Sequence, residues 1–177
     1  MNWNRLSTLF VALILLSAHS CKEEKQQKKE IQTEREINEK LIEFNKNKLK
    51  AEDEIIDDYV KENYPDLETT DTGLRYYIYD IEEGDLAKNE EVAVVSYRIE
   101  RLNGELLYST EESGPVHIRI GHEDVPSGLH EGLMYMSSGD SALFIMPSHR
   151  AYGFTGDQSS IPQNAILIYH VELIDLE

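Results

Sequence analysis

Residues whose types could take part in binding or catalysis are concentrated between positions 132 and 161, where a short apolar segment leads into a long loop. Loops of this length inside a compact domain are usually functional or disordered. Tyr152 and Ile161 are two bulky residues that lie among small ones in this loop, and Pro162 follows at once. A tyrosine offers an apolar ring and a polar hydroxyl at its tip. The pattern therefore indicates a strand followed by a loop that builds a site around a cavity.

The sequence offers no other recognisable catalytic apparatus. Its histidines do not have the HExxH spacing of a metalloprotease, and no Gly-x-Ser-x-Gly nucleophile elbow is present. Surface or packing roles are expected for these histidines, which are spread over different predicted elements: His117, His122, His130, His149 and His170. No metal and no cofactor is therefore expected.

Composition narrows the classes of partner. The 177 residues suggest one domain with an extension. The formal net charge is −17, from 34 acidic and 17 basic side chains. So acidic a protein repels phosphate backbones, which argues against nucleic-acid binding. The same charge keeps the globular part off anionic lipid surfaces.

The first twenty residues have the pattern of a secretory signal peptide: Arg5, then a mostly apolar run, then small residues. Cys21, the only cysteine, follows directly and cannot form an internal disulfide. This arrangement resembles the lipobox of bacterial lipoproteins, although Ala18 stands where leucine is usual. Lipidation of Cys21 would anchor the protein in the outer membrane, on the periplasmic side or at the cell surface. The alternative is an ordinary secreted protein with a free cysteine.

Residues 21–64 form a charged stretch without glycine or proline, which predicts a helical tether. Ile37, Leu41 and Phe44 could form a seam, but Lys48 interrupts it. A weak homodimer through this helix is therefore the alternative to a plain spacer. The apolar stripe improves over residues 54–64, which predicts that this end docks on the following domain or leads into it. Pro65 should end the helix.

From residue 65 onward the pattern alternates between strands and turns. Strands are predicted at residues 74–79, 92–99, 105–109, 116–120, 142–146 and 166–173, with a hairpin at Asn103-Gly104. One helix is predicted over residues 125–136, with Ser127 as its N-cap. Several strands with a single helix on one face are an α+β pattern.

Two segments carry a family resemblance. The order GL-x-Y-M-x-x-G-D-x-A-x-F-x-x-P-x-x-x-A-Y-G, followed by I-P-x-N-A-x-L-I-Y-x-V-E-L, resembles the FKBP-type peptidyl-prolyl isomerases over about residues 71–177. The segment at residues 127–133 is similar to the gliding-motility-associated lipoprotein isomerases of Bacteroidetes. The resemblance implies an antiparallel sheet wrapped around one short helix. The predicted organisation is thus a signal peptide (1–20), a charged helical tether (21–64) and an isomerase domain (65–177).

The resemblance also implies a chemistry, which is rotation about the amide bond that precedes proline in polypeptide substrates. The barrier to this rotation is about 18–20 kcal/mol, and no covalent bond is broken. A dry pocket disfavours the charge-separated planar amide and so favours the twisted one. The expected biological role is assistance to the folding of extracytoplasmic proteins.

The family's functional positions map onto nine residues here. Those expected to act on the rotating amide are Tyr97, Tyr152, Ile161 and Tyr169. Those expected to line the proline pocket are Leu107, Val116, Val125, Leu129 and Ala151. For the apolar members, a plain role in the hydrophobic core is the alternative.

Three departures from the family pattern favour another function. Tyr108 replaces the family's aspartate, Leu107 replaces its wall phenylalanine, and Pro126 has no N–H where the family has a backbone donor. Leu129 also stands where the family has a pocket-floor tryptophan, a replacement found in active members. The alternative is a catalytically weakened binding module or chaperone in an envelope or gliding-motility assembly, or a structural adaptor.

Overall fold

The computed structural model describes residues 3–177, with side chains from residue 29 onward. The predicted signal peptide and Cys21 lie outside the residues whose side chains it describes. The chain divides into two compact units, the first ending at Lys48 and the second spanning Leu49–Glu177. In chain order the elements are α1 (Trp3–Asn63), β1 (Glu68–Thr69), β2 (Arg75–Tyr79), β3 (Val92–Arg101), β4 (Leu106–Ser109), β5 (Val116–Arg119), α2 (Ser127–Leu133), β6 (Ser141–Met146), a 3₁₀ turn (Ser148–Arg150) and β7 (Leu167–Leu176).

The described part of the first unit is a single charged helix. Lysine and glutamate are good helix formers, and no glycine or proline interrupts the segment. Three of its larger apolar side chains, Ile37, Leu41 and Phe44, are more than half exposed. Among the residues that the structure describes, no helix combines the length and the apolarity needed to cross a membrane.

The second unit is built on one seven-stranded antiparallel sheet. Its order is β1-β2-β6-β7-β3-β4, and β5 pairs with the first part of β3. The expected hairpin at Asn103-Gly104 joins β3 to β4, with Gly104 at φ +81°. Side chains alternate between the two faces of the sheet, so each of the central strands β3, β6 and β7 contributes to both faces.

One face of the sheet packs against α2. Odd-numbered residues of β3 and β7 and even-numbered residues of β6, among them Val95, Phe144 and Tyr169, join Leu129 and Leu133 of the helix in one buried cluster. This burial confirms the predicted antiparallel sheet with a short helix. The helix approaches β6 closely because Gly132 faces the ring of Phe144.

Replacing Gly132 with alanine should destabilise the protein by about 1 kcal/mol. The added Cβ would lie 2.6 Å from Cζ of Phe144, a side chain that is fully buried. Overpacking costs about 1–3 kcal/mol, which outweighs the gain of roughly 1 kcal/mol from alanine's helix propensity. Urea unfolding of both proteins measures the difference. A variant as stable as the wild type would mean that α2 does not pack this closely.

The opposite face of the sheet is covered by the end of α1, called here the docked segment (residues 49–63). Ile56 is fully buried against Leu143, Ile145 and Ile168. Arg75 of β2 is also buried, and its guanidinium donates to Asp53 at 2.8 Å and to Asp57 at 2.7 Å. The prediction that this end of the helix docks on the domain is confirmed. The compact unit therefore begins at Leu49, before the predicted boundary at Pro65.

Several boundaries differ from those predicted. Pro126, not Ser127, is the N-cap of α2, and no side-chain hydrogen bond caps the helix. The helix ends at Leu133 because the next backbone N–H groups donate to carbonyls three residues earlier in the chain, and not four. An example is the bond from the Met136 N–H to the Leu133 carbonyl. The short β1 and the 3₁₀ turn were not predicted, since neither is long enough to show a periodic pattern.

Candidate active site

The nine residues expected at the site come from seven parts of the fold. Tyr97 and Tyr169 lie on the two neighbouring strands β3 and β7, and Leu129 lies on α2. All nine belong to, or pack against, the cluster between the sheet and α2. Leu129, Ile161 and Tyr169 are buried in it, and the partly buried members around them are Tyr97, Leu107, Val116, Val125, Ala151 and Tyr152. The fold thus brings every predicted position together, while their functional roles stay predictions.

Three tyrosines converge in this cluster. The rings of Tyr97 and Tyr169 have their centroids 6.0 Å apart and are tilted by 49°. The hydroxyls of Tyr152 and Tyr169 interact with each other. Burial, reinforced by Tyr152, raises the pKa of Tyr169 far above its ordinary value. Burial also raises the pKa values of Tyr97 and Tyr152. All three phenols therefore stay protonated at neutral pH and can donate hydrogen bonds.

A cleft of about 750 Å³ opens beside this cluster. It runs between the segment that leads into α2 and the loop that follows the 3₁₀ turn, and it shares Val125, Ala151 and Tyr152 with the predicted site. Phe154 is 73% exposed at its edge. The lining residues are Asp124, Val125, Pro126, Ser127, His149, Ala151, Tyr152, Gly153, Phe154, Thr155, Gly156, Asp157 and Gln158. Its dimensions are those of a binding cleft for a small ligand or a peptide segment.

The structure adds an acid that the sequence analysis missed. Tyr108 of β4 donates a short hydrogen bond from its hydroxyl to the carboxylate of Asp157 in the loop. The other carboxylate oxygen of Asp157 accepts the N–H groups of Ser159 at 2.9 Å and Ile161 at 2.8 Å. A carboxylate thus lies next to the side chain that replaces the family's aspartate. No local pattern could have revealed this pair, because 49 positions separate its members.

The environment of Asp157 favours its charged form. Burial by itself would raise the pKa of this carboxyl group, but the hydrogen bonds from Tyr108, Ser159 and Ile161 hold the pKa below its ordinary value. These bonds tie the loop to β4 and fix the backbone beside Ile161. Asp157 therefore lines the cleft and is also hydrogen-bonded to Tyr108, which packs against the buried cluster.

Replacing Asp157 with asparagine should lower the free energy of unfolding at pH 7, since a net hydrogen bond contributes about 1 kcal/mol and the charged acceptor is lost. Because the pKa of Asp157 is lowered on folding, its contribution is complete above the unfolded-state pKa and disappears as pH falls through the folded-state pKa. The stability difference between wild type and variant should therefore shrink in acid. Urea unfolding at pH 7 and pH 3 tests this, and a difference that grows in acid would contradict it.

Pro126 has no backbone N–H, so it offers no hydrogen-bond donor to the cleft. Pro126 is buried, and its carbonyl accepts the N–H of Leu129 at 2.9 Å and of His130 at 3.2 Å. The residue thus starts α2 and contributes shape to the cleft. Tyr152 lines the cleft and also packs against the apolar cluster.

Comparisons with known proteins agree with this geometry. The model of the FKBP-type peptidyl-prolyl cis-trans isomerase family matches residues 84–174. A probable FKBP-type peptidyl-prolyl cis-trans isomerase of Haemophilus influenzae is 34% identical over 112 residues, which are 63% of this chain and 46% of the relative. The FKBP-type isomerase FkpA of Escherichia coli is 30% identical over 112 residues, covering 63% of this chain and 40% of the relative.

A solved structure extends the likeness to the fold. The crystal structure of FkpA from Escherichia coli matches with a TM-score of 0.64 at 25% identity, covering 88% of this chain and 71% of that one. The antiparallel sheet that packs one short helix in this chain matches the FKBP fold. The chain belongs to the FKBP-type peptidyl-prolyl cis-trans isomerase family. It spans less than half the length of the two curated relatives described above.

Proposed function

We propose that this protein is a peptidyl-prolyl cis-trans isomerase that assists the folding of extracytoplasmic proteins. The observation that carries the proposal is the position of Tyr152. Its hydroxyl lies where the cleft meets an apolar cluster built from the family's pocket positions. Family membership supports the same conclusion.

The proposed mechanism needs no covalent step. A proline ring enters the apolar cluster among Leu129, Ile161 and Tyr169, which excludes water. Removing water destabilises the charge-separated planar amide relative to the twisted one. Tyr152 donates a hydrogen bond to a substrate carbonyl and so holds the peptide while the amide rotates. The peptide on either side of the proline lies along the cleft, next to Phe154 and Asp157.

The departures from the family pattern support a second candidate function, a binding module or chaperone with weakened catalysis. Pro126 removes one backbone donor from the cleft, and Leu107 leaves the wall without an aromatic ring. Asp157 supplies a carboxylate beside Tyr108, but from another element and already engaged with two backbone amides. Such a module would grip proline-containing or unfolded segments, within an envelope or gliding-motility assembly.

The two candidate functions differ in whether the protein accelerates isomerisation or only binds its polypeptide. The test measures cis-to-trans isomerisation of a proline-containing peptide by the purified protein, beside its affinity for an unfolded polypeptide. Isomerisation that accelerates in proportion to protein concentration would establish the enzyme. Binding of the unfolded polypeptide without acceleration would establish the binding module. Neither acceleration nor binding, in a protein that is folded by circular dichroism, would contradict both and leave a structural adaptor.

The proposed location rests on the sequence at the start of the chain. Residues 1–20 would direct export, and lipidation of Cys21 would hold the protein at the outer membrane, facing the periplasm or the cell surface. The charged helix of the first unit would then act as a spacer. A weak homodimer through Ile37, Leu41 and Phe44 is compatible with the exposure of these side chains, which are 52%, 53% and 67% exposed.

A further inference from the structure

We propose that Glu52, in the docked segment, is a positioning residue for Tyr152. This inference rests on the isomerase function proposed above. It concerns a residue outside the domain boundary that the sequence predicts and outside the residues that the family model matches. The argument follows a chain of hydrogen bonds from the helix to the backbone on both sides of Tyr152.

The first link is between Glu52 and Ser148, the residue that opens the 3₁₀ turn before the site loop. One carboxylate oxygen of Glu52 accepts the Ser148 N–H at 2.9 Å, and the other accepts the Ser148 hydroxyl at 2.7 Å. Glu52 is only 7% exposed and Ser148 only 1%. A carboxylate held this deeply, with both oxygens engaged, fixes the serine in position and orientation.

The second link is between Ser148 and the residues that flank Tyr152. The Ser148 carbonyl accepts the N–H of Ala151 at 3.1 Å and the N–H of Gly153 at 2.8 Å. The residues immediately before and after Tyr152 are therefore both hydrogen-bonded to the residue that Glu52 holds. A shift of Ser148 would be transmitted to Tyr152 through two backbone bonds.

The helix that carries Glu52 is itself held firmly on the sheet. Asp53 and Asp57 bind the buried guanidinium of Arg75, which also donates to the Gly73 carbonyl at 2.7 Å. Ile56 is fully buried in the same segment. The helix around Glu52 is thus held on the sheet by two ion pairs with Arg75 and by the burial of Ile56.

The other contacts of the 3₁₀ turn hold its far end. Arg150 is paired with Glu131 of α2 and donates to the Ser127 carbonyl at 3.2 Å, and His149 lies 3.3 Å from the Thr72 carbonyl. Glu52 is therefore the side chain that holds the start of the turn, next to the buried Ser148. Since an active site tolerates little misplacement of a donor, loss of this support should reach the chemistry.

The test compares Glu52→Ala with Glu52→Gln in the full chain. Alanine removes both acceptors, so we expect kcat/KM to fall about tenfold and the amides of Ala151 and Gly153 to exchange with deuterium faster than in wild type. Glutamine should restore both properties, because its carbonyl can accept the Ser148 N–H while the serine hydroxyl accepts from its amide. Glu54→Ala is the matched control, since the Glu54 side chain on the same helix is 69% exposed.

Exchange at Leu173, a strand amide bonded to the Asp140 carbonyl at 2.9 Å, separates local from global opening. Faster exchange at Gly153 with unchanged exchange at Leu173 supports the proposal. Unchanged exchange at Gly153 and unchanged kcat/KM in Glu52→Ala would overturn it, as would failure of glutamine to restore them. If Glu52→Ala does not fold, Ser148→Ala gives the same two readouts with a smaller expected change. A wild-type protein without isomerase activity would overturn the proposed function. The exchange rates of the Ala151 and Gly153 amides would still test whether Glu52 holds this part of the loop.

Discussion

Replacing Tyr152 with phenylalanine should lower kcat/KM for a proline-containing peptide by about tenfold. It should also lower the free energy of unfolding by about 1–3 kcal/mol, because the buried hydroxyl of Tyr169 loses its partner. The substitution removes only the hydroxyl, which in the proposed mechanism donates to the substrate carbonyl. A hydrogen bond of this kind contributes about 1.5 kcal/mol at most between neutral partners, and about 1.36 kcal/mol corresponds to a factor of ten in rate. A coupled or direct spectroscopic assay of isomerisation measures the change, and urea unfolding checks the fold.

The matched control for this substitution is Tyr135→Phe. Tyr135 stacks on Tyr76 at a centroid distance of 4.7 Å and does not line the cleft. Its loss of a hydroxyl should leave kcat/KM unchanged. If both variants lose activity equally, the effect is not specific to the cleft. If Tyr152→Phe keeps the wild-type kcat/KM, the shape of the pocket and its exclusion of water account for the rate without this donor.

Replacing Ile56 with alanine should lower the free energy of unfolding by about 2–5 kcal/mol, the range measured for large-to-small substitutions in cores. Ile56 is fully buried between the docked segment and the sheet, where it contacts a cluster formed by Leu143, Ile145 and Ile168. The substitution removes three carbons from that cluster and leaves a cavity beneath the helix. Equilibrium unfolding in urea measures the loss.

Ile55→Ala provides the control for this prediction. Ile55 is adjacent in sequence and identical in chemistry, but its side chain is 53% exposed. Its substitution should change the stability by less than about 0.5 kcal/mol. Equal losses from the two variants would mean that the docked segment does not pack on the sheet through Ile56. A loss from Ile56→Ala alone would show that the unit requires residues before Pro65.

The prediction for Ile56 also bears on how the protein should be truncated. The sequence places the domain boundary at Pro65, since proline ends the helix and the family resemblance begins after it. The structure places the start of the compact unit at Leu49. A fragment that begins at residue 65 would expose Leu143, Ile145 and Ile168 and leave the guanidinium of Arg75 without its two aspartates. Functional assays therefore need the docked segment.

Much of the fold could be predicted because its signals are local. Alternation of apolar and polar residues predicts β2, β3 and β5, and Asn103-Gly104 predicts the hairpin, since both depend on neighbouring residues along one strand or turn. The positions of the candidate site followed from the family resemblance, which rests on ordered motifs with fixed spacing. The structure brings these positions into one cluster beside the cleft.

The sequence by itself therefore determined the class of fold, the positions of the candidate site and the chemistry expected of them. Only the tertiary structure decided how those positions are held. It paired Tyr108 with Asp157 across 49 positions and Glu52 with Ser148 across 96. The reason is physical: periodicity and turn chemistry report on bonds between neighbours in the chain. A hydrogen bond between distant side chains exists only once the sheet and both helices have packed.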